Sequence, residues 1–200
     1  MPFSAAILCG GLNTRMGGKN KGLLRLHQET FLQRLHRVLR PLVTETILVT
    51  KDPSLYAGLD LTIISDIYPV RSSLAGVHAA LTKASNQHVF ITACDVPLLQ
   101  PALVNCLLDA GSSRDDVVVP TSEEYFEPLC AVYSKKCLPV IEDLLDQQKF
   151  KISSLFSLVR LKKIPFQTLQ KHDPELVSFL NVNCVEDLDR VHNLKKGMNP

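Results

Sequence analysis

Arg15 and Lys21 sit in one glycine-rich stretch, Cys9-Gly10-Gly11-Leu12-Asn13-Thr14-Arg15-Met16-Gly17-Gly18-Lys19-Asn20-Lys21-Gly22, directly after the apolar run Ala5-Ala6-Ile7-Leu8. Glycines let a backbone take positive φ and bring its N–H groups close to a ligand. An arginine and a lysine beside them supply cations that hydrogen-bond to phosphate oxygens. The chemistry this combination offers is phosphate binding. No position fits G-x-x-x-x-G-K-[ST], and none fits G-x-G-x-x-G, so neither the P-loop nor the dinucleotide fingerprint is present. The spacing that remains is L-x-G-G-x-x-x-R-M-G-x-x-x-K, from Leu8 to Lys21.

Two carboxylates follow apolar runs farther along. Asp95 stands in Cys94-Asp95-Val96-Pro97, after Val89–Cys94. A carboxylate there can hold Mg²⁺, which takes one or two carboxylates and fills its shell with phosphate oxygens and water. The same residue type also serves as a turn or N-cap. Asp66, in Ile64-Ser65-Asp66-Ile67-Tyr68-Pro69, is either a turn residue before Pro69 or a carboxylate that accepts hydrogen bonds from N–H or hydroxyl donors of a ligand. Ser73, in Ser72-Ser73-Leu74-Ala75-Gly76, reads as the N-cap of a helix.

The elements that must carry these residues alternate in type. Ala5–Cys9, Thr46–Thr50, Leu61–Ile64 and Val89–Cys94 read as strands, with Val117–Val119, Leu129–Tyr133 and a late edge strand at Arg160–Ile164. Thr30–Leu42, Ser73–Ala84, Pro101–Ala110, Leu138–Gln148 and Glu186–Asn193 have helical spacing. The segment Gln167–Ser178 has no clear period. Strand–helix alternation with near-continuous apolar strands predicts an α/β fold: a single three-layer α/β/α sandwich around a mostly parallel, Rossmann-like sheet. Ligands of such sheets bind beyond the carboxyl ends of the strands, which directs attention to the loops after Cys9, Thr50, Ile64 and Cys94.

Composition narrows the function classes. With 22 basic and 20 acidic residues among 200, the net charge of +2 is no footprint of a general nucleic-acid binder, and it offers no strong attraction to an anionic membrane. No apolar stretch reaches the length of a membrane span. Ala5–Cys9 is too short for a signal-peptide core and has no basic region before it, so the expected location is the cytoplasm. The six cysteines never pair as C-x-x-C, which argues against a zinc ribbon or a thioredoxin-like site. Cys9 and Cys94 border the candidate site and are assigned no catalytic role.

The stretch from Leu8 to Lys21 resembles the signature of nucleotidyltransferases, and most closely that of the molybdenum cofactor guanylyltransferase family. Cys94-Asp95-Val96-Pro97, Glu127-Pro128-Leu129 and Asn181-Val182-Asn183 are similar to further segments of that family, so the likeness runs from Ala6 to about Leu188. The resemblance implies one nucleotidyltransferase domain over 1–200, with nucleotide contacts in about 1–100 and pterin contacts in about 101–200. It implies transfer of GMP from GTP to molybdopterin, giving the guanine dinucleotide cofactor and pyrophosphate, with Mg²⁺ as cofactor. Leu8, Cys9, Gly10, Gly11, Lys21, Asp52, Asp66 and Asp95 would bind nucleotide. Arg15, Lys21 and Asp95 would be catalytic, Asp95 would hold the metal, and Asn181 and Asn183 would face the pterin. The asparagines read equally well as turn and cap residues before the final helix. The family also implies contact with molybdenum-insertion proteins and apo-molybdoenzyme chaperones.

The chain departs from the family pattern in two places. Asn20 stands where many members have aspartate, and Ser72-Ser73 replaces Gly-Pro. The serine pair is closer to the molybdopterin cytidylyltransferases, whereas Gly10 leaves room for a purine edge that alanine would crowd. Cytidyl transfer, a sugar-phosphate nucleotidyltransferase and a non-catalytic nucleotide-binding regulator are the competing readings.

Overall fold

A computed structural model describes residues 2–10, 20–59, 61–123 and 125–197. The chain opens with β1 (Phe3–Cys9), then a short hairpin of β2 (Arg25–Leu26) and β3 (Glu29–Thr30), and α1 (Phe31–Leu39). There follow β4 (Glu45–Thr50), β5 (Thr62–Ile64), α2 (Ser73–Lys83), β6 (His88–Ala93) and α3 (Pro101–Ala110). The second half supplies β7 (Val117–Thr121), β8 (Cys130–Ser134), α4 (Leu138–Asp146), α5 (Ser153–Phe156), β9 (Leu161–Pro165), α6 (Phe166–Leu169) and α7 (Val185–Gly197).

One seven-stranded sheet runs in the order β5-β4-β1-β6-β8-β7-β9. Only β8 among its strands is antiparallel to its neighbours β6 and β7. The expected mostly parallel α/β sandwich is therefore the fold, and the late strand does close one edge. The chain leaves β1 toward β4 and β5, then returns to pair β6 on the other side of β1. That reversal creates the crevice where ligands of open α/β sheets bind.

Side-chain alternation along β1 explains the layers. Ala5, Ile7 and Cys9 join a core with Leu32 and Leu35 of α1 and Leu103 and Leu107 of α3. Ala6 points to the opposite core, with Leu74 and Ala80 of α2 and Ile141 of α4. A third, smaller cluster is the one that matters for the site. Leu26 of the hairpin and Phe31 meet Leu98, Val177, Val182 and Val191, so the C-terminal segment is packed against the residues just after the glycine-rich stretch.

Local rules set most boundaries. Thr30 caps α1 through a reciprocal box: its hydroxyl accepts from Gln33 N at 3.1 Å, and the Gln33 amide oxygen accepts from Thr30 N at 2.9 Å. The helix stops at Leu39 rather than Leu42 because Pro41 has no N–H to continue it. The cap of α2 is Ser72, not Ser73. Ser72 is extended (φ −146°, ψ 151°), and its hydroxyl accepts from Ala75 N at 3.0 Å, which makes Ser73 the first helical residue. The β2–β3 hairpin has no sequence signal of its own, since His27 takes the positive φ (59°) that glycine or asparagine would announce. Within 167–178, Asp173 imposes the order that periodicity lacks. Its buried carboxylate accepts from Val177 N (3.1 Å) and Ser178 N (2.8 Å), closing a corner in which Leu176 is left-handed (φ 50°).

Candidate active site

Two cavities adjoin at the carboxyl edge of the sheet. The first, of about 360 Å³, is lined by Leu8, Cys9 and Gly10 beyond β1, Thr50 and Lys51 beyond β4, and residues reached from α2 and β6. The second, of about 320 Å³, lies toward the loop entering β8 and the segment before α7. Ala93, Asp95 and Leu129 belong to both walls.

Lys21 stands at the junction. Its ammonium donates to Asp95 Oδ2 at 2.9 Å and to Asn183 Oδ1 at 2.5 Å. Three distant parts of the chain thus converge on one cation. Asn183 is brought there because Val182 N donates to the Asp95 carbonyl at 2.8 Å, and Asp187 in the first turn of α7 accepts from Asn183 N at 2.8 Å. Only 16% of the Lys21 side chain and 20% of that of Asp95 are exposed. The other carboxylate oxygen, Asp95 Oδ1, is buried and has no hydrogen-bond partner among the described residues. A buried carboxylate oxygen without a donor fits a divalent cation or a ligand donor. Among the described residues no three His, Cys, Asp or Glu side chains group around a metal position. An ion at Asp95 would therefore complete its shell with substrate oxygens and water.

Asn20, the residue before Lys21, is fixed by a small polar hub. Its amide oxygen accepts from Gly22 N at 3.1 Å and from Tyr56 Oη at 2.5 Å, and Cys9 Sγ lies 3.6 Å away. Cys9 Sγ is also 2.9 Å from Tyr56 Oη. A hydrogen bond from Cys94 holds the Cys9 thiol below its ordinary pKa, against the opposing effect of burial and with help from Tyr56. The hub requires glycine at position 22: a Cβ there would come within 2.7 Å of Cys9 Sγ and 3.2 Å of Tyr56 Oη. Gly22→Ala is expected to cost about 1–3 kcal/mol of stability, read from urea unfolding against the parent protein.

The far wall of the first cavity holds Asp66. It is half-buried, and burial raises its pKa while the Lys51 charge pulls it down. A Cβ on Gly76 would sit 3.2 Å from Leu8 Cδ1 and 3.7 Å from Asp66 Oδ1, so α2 closes directly against both residues. Gly10 differs: a Cβ there would meet no atom of the described residues within 4 Å.

Of the residues singled out in the sequence, Leu8, Cys9, Gly10, Lys21, Asp66 and Asp95 line the first cavity. Asn181 and Asn183 line the second. Asp52 lines neither; it precedes the 3₁₀ turn Pro53–Tyr56, and the cavity wall after β4 is made by Thr50 and Lys51 instead. Gly11 and Arg15 lie outside the described residues. Sequence reasoning missed Lys51 and Arg71, two further cations of the first cavity. Lys51 directly follows a strand and was open to detection by the rule that selected Asp95. Arg71 carries no such signal.

Comparison with known proteins identifies relatives of the whole chain. Residues 5–163 match the family described as the MobA-like NTP transferase domain. A molybdenum cofactor guanylyltransferase from Desulfosudis oleivorans is 38% identical over 92% of this chain and 91% of its own length. A probable molybdenum cofactor guanylyltransferase from Clostridium perfringens is 32% identical over 93% of this chain and 94% of its own. Among solved structures, molybdopterin-guanine dinucleotide biosynthesis protein A from Archaeoglobus fulgidus superimposes with a TM-score of 0.84 at 27% identity, over 97% of this chain and 99% of that one.

Proposed function

The chain belongs to the MobA-like NTP transferase family, and from that premise we propose that it transfers GMP from GTP to molybdopterin, releasing pyrophosphate and forming the guanine dinucleotide cofactor. The observation that carries the reading is Lys21, one cation bonded to both Asp95 and Asn183 where two substrate-sized cavities adjoin. On this reading the first cavity takes the nucleotide and the second the pterin, within one nucleotidyltransferase domain spanning 1–200.

In the reaction an oxygen of the acceptor's terminal phosphate attacks the α-phosphorus of GTP. A new phosphorus–oxygen bond forms, the α–β bridging bond breaks, and pyrophosphate leaves with that bond's electron pair. A phosphate monoester has its second pKa at about 6, so the attacking oxygen is already largely ionised and needs no general base. The residues therefore act by positioning and by charge. Leu8, Cys9, Gly10 and Gly11 offer backbone to base and phosphate, and Arg15 and Lys21 neutralise the triphosphate. The Asp66 carboxylate can accept from guanine N1–H and its exocyclic amine, or from a ribose hydroxyl. Asn181 and Asn183 present uncharged donors and acceptors to the pterin. Asp95 would hold Mg²⁺, which supplies charge neutralisation at the phosphate oxygens. The expected setting is the cytoplasm, with molybdenum-insertion proteins and apo-enzyme chaperones as partners; among the described residues no helix is long and apolar enough to cross a membrane.

Base preference is the direct test. Pyrophosphate release with molybdopterin and Mg²⁺ is expected with GTP and not with CTP or ATP. Glycine at position 10 leaves room for a purine edge that alanine would crowd, and the Ser72 hydroxyl caps α2 by accepting from Ala75 N. Preference for CTP would transfer the assignment to the cytidylyltransferases.

A further inference from the structure

The second cavity contains a carboxylate that the mechanism leaves unused. Glu127 lines it together with Asp95, Asn181 and Phe179. Its side chain has no hydrogen-bond or ion-pair partner among the described residues, and burial alone pushes its pKa up, with no neighbouring cation to offset the effect. A half-buried carboxylate facing a cavity, with no donor among the described residues, is open to a donor supplied by a ligand.

The backbone that carries Glu127 is held on both sides. Glu127 N donates to Pro120 O at 3.0 Å, and the Glu127 carbonyl accepts from Cys130 N at 3.2 Å. The next carbonyl, that of Pro128, accepts from the buried Tyr133 hydroxyl at 2.8 Å. An isolated bridge, Thr121 to Phe126, ties the preceding turn back onto β7. The carboxylate is thus mounted on rigid chain and does not trail from a loose loop. Beside it, Phe179 contributes an aromatic ring that is itself stacked on Phe166, with centroids 5.0 Å apart and planes 14° from parallel. A two-oxygen acceptor carried on hydrogen-bonded backbone next to an aromatic ring suits a planar heteroaromatic ring with two N–H donors on one edge.

The 2-amino-4-oxopyrimidine ring of a pterin has such an edge, in its N3–H and the exocyclic amine. We propose that Glu127 recognises that edge and is a specificity-determining residue for the acceptor; the assignment of the ring to a pterin rests on the guanylyl-transfer reading. Glu127 touches no reacting atom in this role. It selects and orients the acceptor, while Lys21 and Asp95 serve the phosphates.

The test compares two fluorescent probes, 6-carboxypterin and 6-carboxylumazine, which differ in that a carbonyl replaces the 2-amino donor in lumazine. Affinities are measured by fluorescence titration on the intact chain, with GTP binding measured calorimetrically on the same samples. The parent protein is expected to favour the pterin by about tenfold or more, as loss of a hydrogen bond to a charged group implies. Glu127→Gln, which keeps size but replaces one acceptor oxygen with a donor, is expected to reduce that preference to near onefold. Its GTP affinity should be unchanged, and molybdopterin KM should rise with kcat nearly constant. Glu127→Asp, which retains the charge on a shorter arm, should fall between the two and covers the case of a misfolded glutamine variant. Equal preference in the parent and in Glu127→Gln, with GTP binding intact, would overturn the proposal even if guanylyl transfer occurs. Loss of preference in the variant without any guanylyl transfer by the parent would keep the recognition role and overturn the function instead.

Discussion

Replacing Lys21 with alanine is expected to lower turnover by about 10²- to 10³-fold, the range seen when one preorganised charge or donor is removed from a reacting centre. The ammonium is held by Asp95 at 2.9 Å and Asn183 at 2.5 Å, so its position is set before substrate arrives. Lys21 also lines the cavity assigned to the triphosphate, where negative charge would shift as pyrophosphate departs. The cost to folding is a separate quantity. The ion pair is mostly buried, with 16% and 20% of its side chains exposed, so removing Lys21 leaves the Asp95 charge without its partner, a loss of at most the roughly 3–5 kcal/mol of a broken buried pair. Pyrophosphate release and differential scanning calorimetry on one preparation separate the two quantities. Lys21→Arg should recover only part of the activity, because a planar guanidinium cannot occupy the same three-way junction. Full turnover in a folded Lys21→Ala protein would remove Lys21 from the chemistry.

The second large effect belongs to Asp95. Asp95→Asn preserves shape and removes the charge, and is expected to reduce kcat/KM for GTP by about 10²-fold or more, with the Mg²⁺ requirement moved to higher concentration. The reason lies in the unequal surroundings of the two carboxylate oxygens. Oδ2 is paired with Lys21, whereas Oδ1 is buried without a partner among the described residues. An orphaned carboxylate oxygen is costly to a folded chain unless something binds it in the working state. The amide would leave Lys21 a neutral acceptor and the metal a much poorer ligand. Calorimetric titration of GTP at a series of Mg²⁺ concentrations reads the effect directly. An unaltered Mg²⁺ dependence would locate the metal on other residues.

Much of the first cavity was legible because its signals are local. A glycine-rich stretch after an apolar run and an aspartate after a strand are features of contiguous sequence, and strand ends of a parallel sheet meet at one edge. Asp52 shows the limit of that reasoning: the loop after β4 does line the cavity, but through Thr50 and Lys51, because the chain turns into a 3₁₀ segment at Asp52. What could not be read is whatever depends on two remote segments meeting. No pattern in residues 20–22 or 181–187 announces that Lys21 bonds Asn183; that contact exists because Leu26, Phe31, Val182 and Val191 share one small core. The isolation of Glu127 is likewise a property of its surroundings, and its neighbours in sequence do not reveal it. The β2–β3 hairpin was missed for a local reason, since His27 takes a backbone conformation its type seldom adopts.

The direction of β8 bears on how such a molecule can change over generations. Because β8 opposes β6, the corner it offers to the carboxyl edge is the segment entering the strand, Glu127 to Leu129, which reaches the first cavity only through Leu129. Leu8 to Lys21, Asp66 and Asp95 all precede α3, whereas Glu127, Phe179 and Asn181 all follow it. Substitutions at Glu127, Pro128, Phe179 and Asn181 can therefore remodel one wall while the crevice between β1 and β6 keeps its register. A lineage built on this plan is free to exchange the molecule it modifies without rebuilding the machinery that handles the nucleotide.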